Sequence, residues 1–299
     1  MSNNCVLVTG LSGFTGYHLG HALKCANFDV IGTSRVAHDA GHFGPIEVAP
    51  LEDRARLEEL IARVEPDYVI HLAGQAFIAH DDVSDIYQSN VVGTCNLLAA
   101  LARAKKTPQK VVLVSSANIY GATDAGRIDE DSRLLPANDY AVSKLAMEYA
   151  ARLWMDKLPI VMTRPFNYTG VGQAPKFLVP KIVHHFRERA RRIELGNTHI
   201  IRDFSDVRMV AEVYVRLLKS DAVGQVFNIC SGTGHSLMDI IEMMQQIAGY
   251  EIEVTVNPTL VREGEIEKLI GDRSRLEGAI GTLPCYSLSK TLRWMFEAP

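Results

Sequence analysis

One stretch near the start of the chain, Thr9-Gly10-Leu11-Ser12-Gly13-Phe14-Thr15-Gly16, restricts the fold more than any other. It follows the apolar run Cys5–Thr9 and opens a segment of helical period, Phe14–Ala26. A glycine trio at a strand-to-helix turn is the context that a dinucleotide-binding loop requires. Gly10 suits the tight turn, Gly13 the approach of a pyrophosphate to the backbone, and Gly16 close helix packing, with the helix N-terminus facing the phosphates. Ser12, Phe14 and Thr15 belong to the same candidate cofactor loop. The glycines are spaced three and three, not the two and three of the commoner fingerprint.

The rest of the first half keeps the same rhythm. Short apolar runs at Cys5–Thr9, Asp29–Thr33, Tyr68–Leu72, Lys110–Ser115 and Ile160–Arg164 alternate with helical patterns near Phe14–Ala26, Arg54–Val64, Asn90–Lys105 and Asp139–Trp154. This is the signature of an α/β fold, a doubly wound parallel sheet of the Rossmann kind, whose ligands sit beyond the carboxyl ends of the strands. After Pro165 the pattern breaks into a Gly/Pro-rich stretch, Asn167–Pro180, and a basic helix candidate, Lys181–Arg192. Residues 1–165 are therefore expected to form the nucleotide-binding domain. Residues 166–299 are expected to form mainly a smaller C-terminal substrate-binding lobe, with segments such as Val226–Ile229 returning to the sheet.

Composition excludes several classes. The 299 residues carry a formal net charge of −4, which offers no general attraction to nucleic acid or an anionic membrane. No apolar run reaches the length of a membrane span, and no basic, apolar leader opens the chain, so a cytoplasmic protein is expected. The five cysteines, Cys5, Cys25, Cys95, Cys230 and Cys285, never stand in C-x-x-C spacing, and no histidine has metal-ligand spacing. Neither a disulfide framework nor a metal site is expected.

Two features carry chemistry. The second strand ends Thr33-Ser34-Arg35, with no carboxylate to hold the ribose hydroxyls of NAD(H). A guanidinium there can pair with a 2′-phosphate, so Arg35 points to NADP(H), NAD(H) being the other nicotinamide cofactor the loop could take. Further on, Tyr140 and Lys144 stand four residues apart, on one face of a helix. A neighbouring ammonium favours the tyrosinate and should lower the phenol pKa. Just upstream, Val111-Val112-Leu113-Val114-Ser115-Ser116 is a buried strand ending in hydroxyls, and Ser116 could hydrogen-bond a substrate carbonyl beside Tyr140.

Together with His71-Leu72-Ala73-Gly74, Asn90-Val91-Val92-Gly93-Thr94, Ser115-Ser116-Ala117-Asn118-Ile119-Tyr120-Gly121 and Arg164-Pro165-Phe166-Asn167, these motifs resemble the extended short-chain dehydrogenases, in particular the NAD-dependent epimerase/dehydratase family of nucleotide-sugar enzymes. Within that family, Arg164–Gln173 and Arg202-Asp203-Phe204-Ser205-Asp206-Val207 look most like GDP-4-keto-6-deoxy-D-mannose reductases. The resemblance implies hydride delivery from NADPH to C4 of a 4-keto sugar, with Ser116, Tyr140 and Lys144 catalytic. It implies cofactor contacts from Leu51, Leu72, Ala73, Gly74, Asn90 and Pro165. It implies a nucleotide-sugar site at Gln75, Asn118, Asn167, Lys181, Arg202, Arg262 and Glu265, and a homodimer through a helical bundle formed near Asn90–Lys105 and Tyr140–Trp154. Pro50-Leu51 departs from the Asp-Leu that contacts adenine in relatives, and Arg208-Met209 interrupts an acidic pattern.

The reaction is narrowed by one dipeptide. A 4,6-dehydratase must also remove the C5 proton and expel the C6 hydroxyl, and its family pattern carries a Glu just after the catalytic hydroxyl residue. This chain has Ala117-Asn118 there, and neither side chain is a general acid or base at neutral pH. A 4-epimerase needs only the Ser/Tyr/Lys set and a retained cofactor, so it stays open as the alternative. An NADP(H)-binding Arg35 favours the reductase, which draws on the cell's reducing pool.

Overall fold

The computed structural model describes residues 4–36, 42–75, 83–122, 126–261 and 267–299. The chain runs β1 (Cys5–Thr9), α1 (Phe14–Cys25), β2 (Asp29–Ser34), β3 (Ile46–Val48), α2 (Arg54–Val64), β4 (Tyr68–His71), α3 (Val83–Tyr87), a π-helical turn (Gln88–Val92), α4 (Gly93–Arg103), β5 (Lys110–Val114), α5 (Asp139–Arg152) and β6 (Ile160–Pro165). It continues through β7 (Asn167–Thr169), α6 (Leu178–Arg187), β8 (Arg192–Leu195), β9 (Ile201–Asp206), α7 (Val207–Lys219), β10 (Val226–Ile229), β11 (Gly234–Ser236), α8 (Leu237–Ala248), β12 (Glu253–Val256), β13 (Lys268–Leu269), α9 (Ser274–Ile280) and α10 (Leu288–Glu297).

Seven strands form one parallel sheet in the order β10-β6-β5-β4-β1-β2-β3. Parallel strands need crossovers, and helices on both faces bury the sheet, which is why β5 reads as an unbroken buried run, Lys-Val-Val-Leu-Val. On one face Val8, Ile70, Val112 and Val161 pack with Leu19 and Leu23 of α1 and with Val210, Tyr214 and Leu217 of α7. On the other, Leu7, Val69, Val111 and Leu113 pack with Leu57 and Ile61 of α2, Leu97 and Leu101 of α4 and Ala151 of α5. The doubly wound sheet expected from the apolar rhythm is the observed architecture, and Val226–Ile229 does return to it as β10, beside β6.

A second core gathers the remaining elements. Val183 and Phe186 of α6, Ile240 and Met244 of α8 and Leu292 of α10 close over Ile193, Leu195 and Phe204. Here the expected helix Lys181–Arg192 is displaced: α6 begins at Leu178 and ends at Arg187, and Arg192 starts β8. Pro180 falls in the first turn, where a missing N–H costs nothing. Arg189, at φ 51°, turns the chain out of the helix.

Candidate active site

The carboxyl ends of β1, β4, β5 and β6 open into a cleft of about 680 Å³. It is lined by most of the residues expected there: Gly10, Ser12, Gly13, Phe14, Thr15 and Gly16 of the loop, Arg35 and Leu51 at one end, Leu72, Ala73, Gly74 and Gln75 after β4, Ser116 and Asn118 after β5, Tyr140 and Lys144 of α5, and Pro165 and Asn167. The loop glycines behave as their spacing requires. Gly10 adopts φ +76°, and a Cβ on Gly16 would lie 2.4 Å from the Gly10 and Leu11 carbonyl oxygens.

The chemistry sits where β5 ends. Ser116 leaves the strand in extended conformation, and its hydroxyl accepts from the Asn118 N–H at 3.2 Å, starting the tight turn Ala117–Tyr120. That turn leaves the Ser116 hydroxyl beside the Tyr140 phenol of α5, on the wall of the cleft. Asn138 caps α5 by accepting from the Ala141 N–H at 2.9 Å, which fixes the helix start and so the height of Tyr140 above the sheet. One turn on, the Lys144 ammonium donates to the Val114 carbonyl at 2.9 Å.

Burial dominates the electrostatics. It pushes the Tyr140 phenol up to about 12, against a downward pull from the neighbouring Ser116 hydroxyl. The expectation that the ammonium would lower this phenol is therefore reversed: desolvation of the anion outweighs any attraction, and the phenol keeps its proton at neutral pH. The same burial pulls Lys144 down to about 8, with the Glu148 carboxylate acting the other way.

The other end of the cleft suits a dinucleotide. No side chain caps α1 and its first turn carries no acidic residue, so a 12-residue helix presents its positive end to the cleft. Thr15 and the Tyr168 hydroxyl hydrogen-bond at 2.8 Å, and the Phe14 and Tyr168 rings stack at 6.1 Å, joining the loop to β7. Arg35 stands where β2 ends, and Glu52 is the one acidic residue on the described cleft wall.

Not every candidate converges there. Asn90 lies behind the wall, fully buried, its amide bonded to the Gln75 backbone and to Ser143. Lys181 donates to the Glu194 carbonyl at 2.9 Å, and Arg202 to the Ile201 carbonyl at 3.0 Å; neither lines the cleft. Arg262 and Glu265 lie outside the described residues. The cleft also contains residues that sequence reasoning missed, among them Ser115, Tyr168, Gln173 and Phe177. Ser115 sat in plain view beside Ser116, whereas Tyr168 is brought in by β7 pairing with β9, a contact no local pattern announces.

Comparison with known proteins agrees with this geometry. The sequence profile of the GDP-mannose 4,6 dehydratase family matches residues 7–295. A GDP-6-deoxy-D-talose 4-dehydrogenase from Aggregatibacter actinomycetemcomitans is 31% identical over 277 residues, 92% of this chain and 91% of that protein. A GDP-6-deoxy-D-mannose reductase from Pseudomonas aeruginosa is 32% identical over 304 residues, covering 96% and 94%. Among solved structures, a Burkholderia cenocepacia J2315 protein described provisionally as an epimerase superposes with a TM-score of 0.94 at 46% identity, over 98% of this chain and 97% of that one. The structure of RMD from Pseudomonas aeruginosa complexed with NADPH gives 0.86 at 32% identity, with the same coverage. With the parallel sheet, the glycine loop and the Ser116/Tyr140/Lys144 set in one cleft, this chain belongs to the GDP-mannose 4,6-dehydratase family of extended short-chain dehydrogenases.

Proposed function

We propose that the protein reduces the C4 keto group of a nucleotide-linked 4-keto-6-deoxy sugar, GDP-4-keto-6-deoxy-D-mannose by its likeness to the talose and mannose enzymes, at the expense of NADPH. The observation that carries this reading is the Ser116 hydroxyl set beside the Tyr140 phenol above β5, with no carboxylate beside the pair among the described cleft residues. Glu52 follows β3, four strands away along the sheet, which at ~4.8 Å per strand is roughly 20 Å. A dehydratase needs a proton carrier at C5 and C6, and Ala117-Asn118 supplies none.

NADPH, when bound, supplies the hydride. Gly10 to Gly16 and the end of α1 would hold its pyrophosphate, Arg35 its 2′-phosphate, and Lys144 the nicotinamide ribose. The protein's own work is then done on the carbonyl oxygen. Ser116 and Tyr140 both donate to it, polarising the C4 carbonyl, and the phenol proton passes to that oxygen as negative charge develops there. Tyr140 begins the cycle protonated, which is the form a reduction requires. Asn118, exposed in the cleft, and Gln75 and Asn167 on its wall flank the sugar. Residues 1–165 supply the cofactor side and residues 166–299 mainly the nucleotide-sugar side, where Lys181, Arg202, Arg262 and Glu265 are the candidate contacts.

Incubation of the 4-keto sugar with NADPH tests the reading. Stoichiometric loss of NADPH absorbance with a C4-hydroxyl 6-deoxy product supports it, and no NADPH loss with the keto sugar, together with C4 epimerisation of a 4-hydroxy nucleotide sugar in a parallel incubation without net cofactor loss, rejects it. That second outcome is the epimerase alternative, favoured by the Burkholderia likeness. The protein is assigned to the cytosol, in keeping with five free cysteines and no membrane-crossing helix among the described residues. A homodimer through α4 and α5 is in keeping with the exposed apolar residues Val92, Val142, Tyr149 and Leu153, the last 82% exposed.

A further inference from the structure

Beneath the cleft, where β4 ends, His71 lies 2% exposed. It bonds at both ring nitrogens: Nδ1 to Thr9 Oγ1 at 2.7 Å and Nε2 to Thr94 Oγ1 at 2.9 Å. The directions of these bonds follow from donor counting. Thr94 gives its single hydroxyl proton to the Asn90 carbonyl at 2.7 Å, so towards His71 it can only accept, and Nε2 carries the ring proton. Nδ1 then accepts from the Thr9 hydroxyl, and that oxygen accepts from the Ala73 N–H at 3.1 Å. The chain of bonds therefore runs one way, from Ala73 through Thr9, His71 and Thr94 to Asn90.

Its ends are the segments that shape the cofactor cleft. Thr9 opens the glycine loop, Ala73 and Gly74 line the cleft, and Asn90 forms the π turn. The Asn90 carbonyl accepts from the Thr94 side chain, and the Asn90 amide oxygen accepts from the Gln75 N–H at 3.0 Å while its nitrogen donates to Ser143 at 3.0 Å. Ser143 in turn donates to the Tyr140 carbonyl at 2.8 Å. Gly74 is wedged between these groups: a Cβ there would lie 2.7 Å from Asn90 Oδ1 and 3.1 Å from Lys144 Nζ. Movement of the loop after β4 would thus be felt at Lys144.

We propose that His71, as its Nε2–H tautomer, is the positioning residue that locks the glycine loop, the loop after β4 and the π turn into one arrangement, and through Gly74 and Asn90 sets the place of Lys144 against the bound cofactor. Burial holds the ring near 3, far below its ordinary value, so the tautomer persists at any pH the enzyme meets. The role belongs to the cofactor side of the cleft and stands apart from the identity of the sugar.

The test uses the full-length protein with NADPH as the probe. His71→Phe keeps a flat ring and removes both hydrogen bonds; Thr94→Val keeps the shape of its side chain and removes the acceptor for Nε2. Measured on folded protein by NADPH fluorescence, the dissociation constant rises about ten-fold in each, and His71→Gln, which can still donate to Thr94, falls between wild type and His71→Phe. With the keto sugar as second substrate, the alkaline limb of turnover moves upward as water reaches Lys144. A merely structural histidine would lower the denaturation midpoint and leave NADPH affinity intact, and that result in His71→Phe overturns the proposal. If His71→Phe does not fold, unchanged NADPH affinity in Thr94→Val overturns it. Because NADPH binding is read without turnover, failure of the keto sugar to react would leave this result standing.

Discussion

Arg164 grips Glu148 with two parallel hydrogen bonds, Nε to Oε1 at 2.9 Å and Nη2 to Oε2 at 2.8 Å, with both side chains almost wholly out of water. Arg164 also donates from Nη1 to the Tyr120 hydroxyl and the Glu130 carbonyl, so β6, α5 and the turn after Ser116 meet at one guanidinium. Removing one partner strands the other charge in a medium that cannot solvate it. Glu148→Ala is expected to cost about 3–5 kcal/mol, read from the denaturant midpoint. A loss below about 1 kcal/mol would mean that water or another group replaces the carboxylate.

Tyr140→Phe removes the proton donor and leaves the ring. Turnover should fall roughly 10²–10⁴-fold while NADPH affinity stays within a few-fold of wild type. Retained hydride transfer would assign the proton to another group.

The pH profile should follow Lys144. Its ammonium is charged below about 8, so turnover should be level on the acid side of that value and fall above it if the charged form holds the cofactor ribose. Tyr140, held near 12, adds no limb in the accessible range. For stability the sign is opposite. The unfolded chain keeps a proton on this lysine up to its ordinary 10.5 while the folded chain has lost it from about 8, so the unfolded state binds more protons in that window and this group's contribution rises with pH across it. Turnover still climbing above that value would remove the ammonium from the mechanism.

Much of this was legible from the residues because the signals were local. Five strands and the glycine loop declare themselves through apolar runs next to a turn, and Tyr140 and Lys144 share a helix face by spacing alone. The losses came where tertiary contact decides. β3 is three residues long and exists because it pairs with β2. The helix that begins in the loop after Gly170 starts at Leu178 because Pro180 is tolerated in a first turn. The Tyr140 phenol was misjudged because spacing shows the ammonium nearby but not the burial that outweighs it.

Arg35→Ser should weaken NADPH binding about 10–100-fold, the range expected on losing a charge-assisted contact of about 1.5–3 kcal/mol, and leave NADH binding nearly unchanged. Equal loss for both cofactors would place the 2′-phosphate elsewhere.

His71 gives an acid-side prediction. In the folded protein it takes a proton only near 3, whereas the unfolded chain takes one as pH falls below 6.5, so stability attributable to this group is lost across that window. His71→Phe should therefore lose less of its denaturation midpoint than wild type between neutral pH and the middle of that window. An equal loss would show that other groups carry the acid sensitivity.

β10 and α7 lie more than forty residues beyond Pro165 in the chain, yet one covers the outer edge of β6 and the other the face of the sheet shared with α1. On the ribosome, then, the half that carries the glycine loop emerges with a bare edge strand and an unpaved apolar face, and must wait for the later segment before it can close. The cleft is thus a product of late synthesis: a chain interrupted near Pro165 would contain Ser116, Tyr140 and Lys144 but lack the strand beside β6 and the helix that covers the sheet with α1.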